Sequence, residues 1–199
     1  MILGITGGMG SGKSELARCF SQLGAWIVDA DAIAHRLLAQ GVGRKALCRE
    51  FGPDIEDATG HLDRRLLGRR ALENEYSLQR LYAIIRPDLE VELRRQLDDA
   101  SHNSPCDIVV FDVPLLYEWG IQSWVNRVVV VRADREVRIA RIEKRSGLER
   151  VEIERRMALQ MEEEDKCALA DYVVDNSGTL SSLAEQAQIL WQQFKNNND

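Results

Sequence analysis

The feature that most constrains this chain is a glycine-rich turn near its N-terminus. Residues 7–14 read GGMGSGKS and match the pattern GxxxxGK(S/T) at every fixed position. The turn follows a short apolar run, Ile2–Thr6, that predicts a buried strand, and it leads into residues 11–23, whose apolar spacing predicts a helix. A glycine-rich turn between a strand and a helix is the setting in which this pattern forms a phosphate-binding loop.

The residue types in this turn explain the chemistry. Glycines allow successive main-chain N–H groups to converge on one anion, and the start of the helix adds partial positive charge. Lys13 is then expected to reach the β- and γ-phosphates, and the Ser14 hydroxyl is expected to bind Mg²⁺. The sequence therefore predicts a site for a nucleoside triphosphate with magnesium. Its predicted residues are Gly8, Met9, Gly10, Ser11, Gly12, Lys13 and Ser14.

Four further apolar segments predict strands, at residues 25–28, 107–111, 127–131 and 172–174. They are rich in Val and Ile and do not alternate with polar residues, which is typical of parallel strands buried on both faces. Because helical segments separate them, the predicted fold is α/β, with a five-stranded parallel sheet and helices on both faces. Ligands of such sheets bind beyond the carboxyl ends of the strands, where Asp29, Asp31, Asp112 and Asn176 are placed.

Two regions exceed what a bare sheet needs. Residues 31–104 include a long helical pattern at 76–97, whereas a simple crossover between two strands is far shorter. We therefore predict an inserted helical substrate domain at 31–104 and a nucleotide-binding core at 1–30 and 105–199. Within the core, residues 134–166 are highly charged and are predicted to be helical.

The carboxylates at the strand ends have two interpretations each. Asp29 or Asp31 could accept the proton of an attacking hydroxyl, or both could cap the following helix. One residue separates them, so in an extended chain they point in opposite directions and only one is expected to act as a base. Asp112 could hold magnesium through water, or it could be a turn residue at the end of its strand.

Arg138, Arg141 and Arg145 recur at three- and four-residue steps, which places most of this arginine row on one helical face. These side chains could close over the triphosphate, because a planar guanidinium binds phosphate oxygens in a bidentate manner. Alternatively, they form a solvated face that pairs with Glu136 and Glu143. We expect at least one of the three arginines to bind the phosphates.

Composition limits the partners. The chain has 199 residues, of which 45% are hydrophobic and 29% charged, and its formal net charge of -6 argues against non-specific nucleic-acid binding. The sequence shows no secretory pattern and no apolar run of membrane-spanning length. We therefore expect a cytoplasmic protein with neither a nucleic-acid nor a membrane partner.

Four scattered cysteines are expected to be reduced thiols: Cys19, Cys48, Cys106 and Cys167.

Taken together, the motifs resemble the dephospho-coenzyme A kinase family. The resemblance rests on the phosphate loop, on VDAD at 28–31, on DVPLLYE at 112–118 and on ADYVVDNSG at 170–178, which follow one another in the family's order. Arg141, Arg145 and Gln160 also match.

The resemblance implies an activity and a set of roles. It implies ATP-dependent phosphorylation of the ribose 3′-hydroxyl of dephospho-coenzyme A, the last step of coenzyme A synthesis, with a lid at about residues 134–166. It implies that Asp31 is the catalytic base, that Arg141 is a lid arginine, and that Asn176 approaches the nucleotide base. We expect a monomer or a weak homo-oligomer. The resemblance further assigns Glu15 to the nucleotide, and Asp31, Arg86, Pro114 and Leu115 to the acceptor.

Three positions depart from the family pattern. Glu15 stands where threonine is usual, and Arg86 stands where histidine is usual before a proline. Residues 162–165 are acidic where the family often has a basic residue.

Two other functions are open on the sequence. One is a phosphate-loop kinase that acts on a nucleoside monophosphate or another metabolite. The other is a GTPase-like switch. Against the switch, the chain contains no Asn-Lys pair of the base-reading motif Asn-Lys-x-Asp.

Overall fold

A five-stranded parallel sheet forms the centre of the protein. The computed structural model describes residues 1–103 and 107–196, and within them the strands are ordered β2-β3-β1-β4-β5. Every neighbouring pair is parallel, so all the carboxyl ends lie at one edge of the sheet. The strands are β1 (Ile2–Thr6), β2 (Trp26–Asp29), β3 (Val109–Asp112), β4 (Arg127–Arg132) and β5 (Tyr172–Asp175).

The described residues also form nine α-helices. In this part of the chain, no helix is both long enough and apolar enough to cross a bilayer. The helices are α1 (Lys13–Gln22), α2 (Ala30–Ala39), α3 (Arg44–Phe51), α4 (Arg64–Ala71), α5 (Glu75–Asn103), α6 (Arg135–Ser146), α7 (Arg150–Met157), α8 (Glu163–Ala168) and α9 (Leu180–Asn196).

Apolar side chains bury both faces of the central strands β1, β3 and β4, whereas Trp26 of β2 and Val173 of β5 are exposed on the two edge strands. On one face, Ile5 of β1 packs in a cluster with Phe20 of α1 and Phe194 of α9. Successive residues of a strand alternate between faces, and Phe111 of β3 lies on the opposite face, where it stacks on Trp124 with ring centroids 6.4 Å apart. The sheet is therefore a rigid base for the residues at its carboxyl edge.

The chain divides into two compact units. One unit comprises Met1–Asp29 and Leu97–Asp199 and contains the sheet. The other comprises Ala30–Gln96 and has its own apolar core, which includes Leu47, Ile55 and Leu67. Its role as a substrate domain stays a prediction.

The predicted α/β fold is confirmed, with shifts at the ends of elements. α1 begins at Lys13, two residues later than predicted, because Gly12 precedes it with a left-handed φ of 91°. α2 begins at Ala30, directly after β2. The extended geometry expected for Asp29 to Asp31 is therefore wrong, since Asp31 already lies in a helical turn.

Three of the four cysteines lie among the described residues. Cys19 is buried, Cys48 and Cys167 are partly buried, and all three are free thiols. Burial raises the pKa of each thiol, which keeps it protonated and unreactive at neutral pH. Cys106 lies outside the described residues.

Truncation of Phe20 should destabilise the unit that contains the sheet. Its ring is fully buried, and its centroid lies 6.1 Å from the ring centroid of Trp191 and 6.4 Å from that of Phe194. We expect Phe20→Ala to lower the free energy of unfolding by about 3–5 kcal/mol. Ile189→Ala on α9 is the control, because that side chain is 57% exposed and should contribute only about 0.5 kcal/mol. Urea denaturation measures both, and equal losses would contradict this packing.

Candidate functional site

The turn between β1 and α1 lies at the carboxyl edge of the sheet, and glycine is required in it. Gly10 and Gly12 have φ angles of 83° and 91°, in the left-handed region where side chains are strained. A Cβ at Gly12 would also collide with the side-chain amide of Asn176. The predicted phosphate loop thus has a backbone that only this residue type allows.

Among the described residues, several main-chain donors of the loop have no protein acceptor. The Ser11 N–H donates to the Gly8 carbonyl at 3.0 Å. Lys13 and Ser14 begin α1, where N–H groups have no intrahelical acceptor. Because these N–H groups lack an acceptor and a helix start is partially positive, they suit an anion. Within residues 1–103 and 107–196, the N–H groups without an acceptor include those of Gly10, Gly12, Lys13 and Ser14.

A buried ion pair lies beside these donors. The ammonium of Lys13 contacts the carboxylate of Asp112, and both side chains are at least nine-tenths buried. Asp112 ends β3, in register with Ile5 of β1 and Asp29 of β2. The sheet therefore places one cation and one carboxylate at the loop, in surroundings that largely exclude water.

A second set of contacts ties the loop to the end of β5. The Asn176 side-chain amide donates to the Ser11 carbonyl at 2.7 Å. Arg141 donates to the Asn176 carbonyl at 2.8 Å and to the Ser11 carbonyl at 3.5 Å. Ser11 Oγ and Asn176 Oδ1 are buried and find no hydrogen-bond partner in the described part of the chain. Buried polar atoms are nearly always paired, so these two suit a bound ligand.

The charged helical region holds the loop at Met9. The Met9 N–H donates to Gln160 Oε1 at 2.8 Å, and the Met9 carbonyl accepts from Arg138 Nε at 3.1 Å. Arg138 is only 8% exposed and also donates to Glu163 at 2.7 Å. Burial raises the pKa of the Glu163 carboxyl. The members of the arginine row therefore differ in burial, since Arg138 is buried and Arg145 is exposed on the same helix.

A buried lysine that the sequence did not suggest fixes the segment after β3. Lys166 is fully buried, with its Nζ 2.7 Å from Glu118 Oε1 and 3.0 Å from the Pro114 carbonyl. The same carbonyl accepts from the Thr6 hydroxyl at 3.0 Å. The only signal was a single lysine at the end of an acidic run, and such runs are usually solvated. Pro114 and Leu115 are partly buried.

The remaining predicted residues have ordinary surface partners or lie in the other unit. Glu15 pairs with Arg18, whose hydrogen bond lowers the pKa of the carboxyl. In the helical unit, Asp31 is exposed in the first turn of α2, and Arg86 pairs with Glu90 one turn along α5. The roles of these residues stay predictions.

Segments far apart in the chain therefore meet around the loop. They are the start of α1, the end of β3, helix α6 and the residue after β5, which contribute Lys13, Asp112, Arg141 and Asn176. This is the place where ligands of parallel sheets bind.

Comparison with known proteins confirms the resemblance seen in the motifs. A family model described as dephospho-CoA kinase matches residues 1–182. A dephospho-CoA kinase from Corynebacterium diphtheriae is 39% identical over 194 residues, 97% of this chain and 96% of the relative. A crystal structure from Thermus thermophilus has a TM-score of 0.77 at 34% identity, over 97% of each chain.

At lower identity, the similarity concerns the fold alone. A dephospho-CoA kinase from Campylobacter jejuni has a TM-score of 0.72 at 20% identity, over 100% of this chain and 98% of the other. The match of the family model and the identity to the Corynebacterium diphtheriae enzyme decide the assignment. The chain belongs to the dephospho-CoA kinase family.

Proposed function

We propose that this chain transfers the γ-phosphoryl group of ATP to the ribose 3′-hydroxyl of dephospho-coenzyme A. Membership of the family supplies the substrate class. The observation that carries the proposal is the turn between β1 and α1. There, main-chain donors that lack an acceptor among the described residues lie beside the Lys13–Asp112 ion pair. This combination suits a triphosphate tail and the transfer of its terminal group.

The loop would bind the phosphates mainly through its main chain. The N–H groups of Gly10, Gly12 and Ser14 would donate to phosphate oxygens. The Lys13 ammonium would exchange the carboxylate of Asp112 for the β- and γ-phosphates. Such an exchange replaces one anionic partner by another, so the lysine is never left as an uncompensated buried charge.

Two side chains fit the Mg²⁺ ion that this chemistry requires. The Ser14 hydroxyl is exposed in the first turn of α1, and the carboxylate of Asp112 lies next to Lys13. Both would supply the hard oxygen atoms that Mg²⁺ prefers. When bound, the ion would neutralise negative charge on the phosphate oxygens.

Asp31 is the proposed base. It is an exposed carboxylate in the first turn of α2, two residues after β2 ends at the carboxyl edge of the sheet. A carboxylate is a side-chain group that can accept the proton of an attacking hydroxyl. The proton of the 3′-hydroxyl would pass to Asp31 while the 3′-oxygen of the acceptor forms a bond to the γ-phosphorus. The bond from that phosphorus to ADP would break, and ADP would leave.

Other residues would position the two substrates. Arg141 is the proposed lid arginine, since its guanidinium already lies at the Ser11 and Asn176 carbonyls. The buried Oδ1 of Asn176 could accept a hydrogen bond from the nucleotide. The residues proposed to contact the acceptor, on the family pattern, are Arg86, Pro114 and Leu115.

A coupled assay tests the proposal directly. With ATP and Mg²⁺, the chain should consume ATP rapidly only when dephospho-coenzyme A is added, and the product should carry a new 3′-phosphate. Consumption with a nucleoside monophosphate or another metabolite instead would assign a different kinase. Hydrolysis that needs no acceptor would favour the switch.

Removal of the loop lysine should abolish most of the activity. We expect Lys13→Ala to lower kcat by about 10²-fold or more, because the ammonium neutralises charge that develops on the transferred group. Lys195→Ala on α9 is a matched loss of a partly exposed ammonium and should keep the rate of the unmodified chain. Circular dichroism checks that both variants fold. A folded Lys13→Ala variant with normal kcat would rule out this role.

The two neighbouring aspartates should respond differently. Asp31→Asn should lower kcat by about 10²–10⁴-fold while the KM for ATP stays near its original value, because only the proton acceptor is lost. Asp29→Asn is the matched control and should retain most of the activity. If Asp29→Asn is the inactive variant and Asp31→Asn is active, the base is assigned to the wrong residue.

A further inference from the structure

We infer that Arg138 and Gln160 are positioning residues that hold the phosphate loop at Met9 and thereby aim the Gly10 N–H at the phosphates. The inference rests on the proposed use of this loop as the nucleotide site. It gives Arg138 a role different from the other members of the arginine row, because it acts through the loop and not on the substrate.

The geometry of the peptide bond connects Arg138 to Gly10. The Met9 carbonyl and the Gly10 N–H belong to one planar trans peptide, so they point in opposite directions. Arg138 Nε donates to that carbonyl at 3.1 Å. The Gly10 N–H is therefore turned away from Arg138, and it is one of the donors without an acceptor among the described residues.

The preceding peptide is held in the same manner. The Met9 N–H donates to Gln160 Oε1 at 2.8 Å, while the Gly8 carbonyl of that peptide accepts from the Ser11 N–H at 3.0 Å. Both peptides that flank the Met9 Cα are thus fixed. Because Gly10 has a left-handed φ of 83°, the loop would otherwise have wide conformational freedom at this point.

A second carbonyl of the loop shows the same arrangement independently. Asn176 Nδ2 donates to the Ser11 carbonyl at 2.7 Å, and Arg141 approaches the same oxygen at 3.5 Å. The Gly12 N–H shares the peptide with that carbonyl and also has no acceptor in the part of the chain that the structure describes. Alternate carbonyls are therefore held by side chains, and alternate N–H groups are left for an anion.

Arg138 itself is placed too firmly to act as a mobile phosphate ligand. Its guanidinium donates to Glu163 at 2.7 Å, and the two side chains are 10% and 15% exposed. It also lies against the loop, since a Cβ at Gly8 would come within 2.8 Å of Arg138 Nη2. A buried guanidinium with a carboxylate and a carbonyl as partners has its charge already compensated.

The side chain of Met9 completes the connection. It packs against a small apolar cluster formed by Ile139 and Ile142 of α6 and Ile153 of α7. Met9 therefore contacts the charged helical region with its N–H, its carbonyl and its side chain. Any movement of α6 and α7 would be transmitted to the loop at this residue.

Affinity for ADP distinguishes a positioning role from direct contact with the γ-phosphate, which ADP lacks. A residue that touches the transferred γ-phosphate should affect ATP and leave ADP unchanged. A residue that aims a loop N–H should weaken both nucleotides by the same factor, because the loop amides serve the phosphates that ADP and ATP share.

The test is isothermal titration calorimetry of the full chain with ADP and with ATP. Arg138→Met keeps the apolar stem and removes the donors, and we expect both dissociation constants to rise by roughly tenfold, the effect of one lost charge-assisted hydrogen bond. Arg138→Lys, which can still donate to the Met9 carbonyl, should restore part of the affinity. Arg135→Met is the control, since Arg135 lies on the same helix but pairs with Glu154 at the surface and should leave both constants unchanged.

A double variant guards against a simple loss of folding. Arg138→Met leaves Glu163 buried without its arginine, whereas Arg138→Met with Glu163→Met removes both charges and should fold while still binding both nucleotides weakly. Loss of ATP affinity alone, or unchanged affinity for both nucleotides in a folded variant, would overturn the inference. Failure of the unmodified chain to bind ADP would instead contradict the proposed function.

Discussion

The main-chain N–H groups at the start of α1 have no acceptor in the part of the chain that the structure describes, and the rest of the site is arranged around them. The first N–H groups of a helix have no intrahelical acceptor, so they do not hold the preceding turn in shape and other contacts must do so. Here the glycines permit the turn, and side chains from β3, α6 and the end of β5 hold it. The loop is thereby prepared for an anion before one arrives.

The buried cations among residues 1–103 and 107–196 share one feature, which is that each has an anionic partner. Lys13 pairs with Asp112, Arg138 with Glu163, and Lys166 with Glu118. Burial of an unpaired charge would cost several kcal/mol, so these pairs are a condition for placing so many charges near one site. They differ in what they connect. The first pair can open toward a phosphate, the second holds the loop, and the third fixes the segment after β3.

The family assignment and the local geometry support different parts of the account. The family supplies the acceptor, dephospho-coenzyme A, and the direction of the reaction. The geometry supports the proposed position of the phosphates, because the loop lies at the carboxyl edge of a parallel sheet.

The sequence was sufficient for the parts of the fold that depend on local pattern. The Val and Ile runs predicted all five strands, since strands of a parallel sheet read as continuous apolar segments, and the pattern at residues 7–14 predicted the loop. It could not separate Arg138 from Arg145, because helical spacing gives the face of a residue but not its partner. The contact of Arg138 with Met9 spans 129 residues of sequence. Lys166 was missed for the same reason, since its partner Glu118 belongs to a distant segment.

Amide chemical shifts of the loop test directly whether its main-chain N–H groups bind the phosphates. In a ¹⁵N-labelled sample titrated with ADP, we expect the largest changes in chemical shift at the amides of Gly10, Gly12, Lys13 and Ser14. The changes along α9 should be much smaller. A saturating titration that leaves those four amides unmoved, while others shift, would contradict the account.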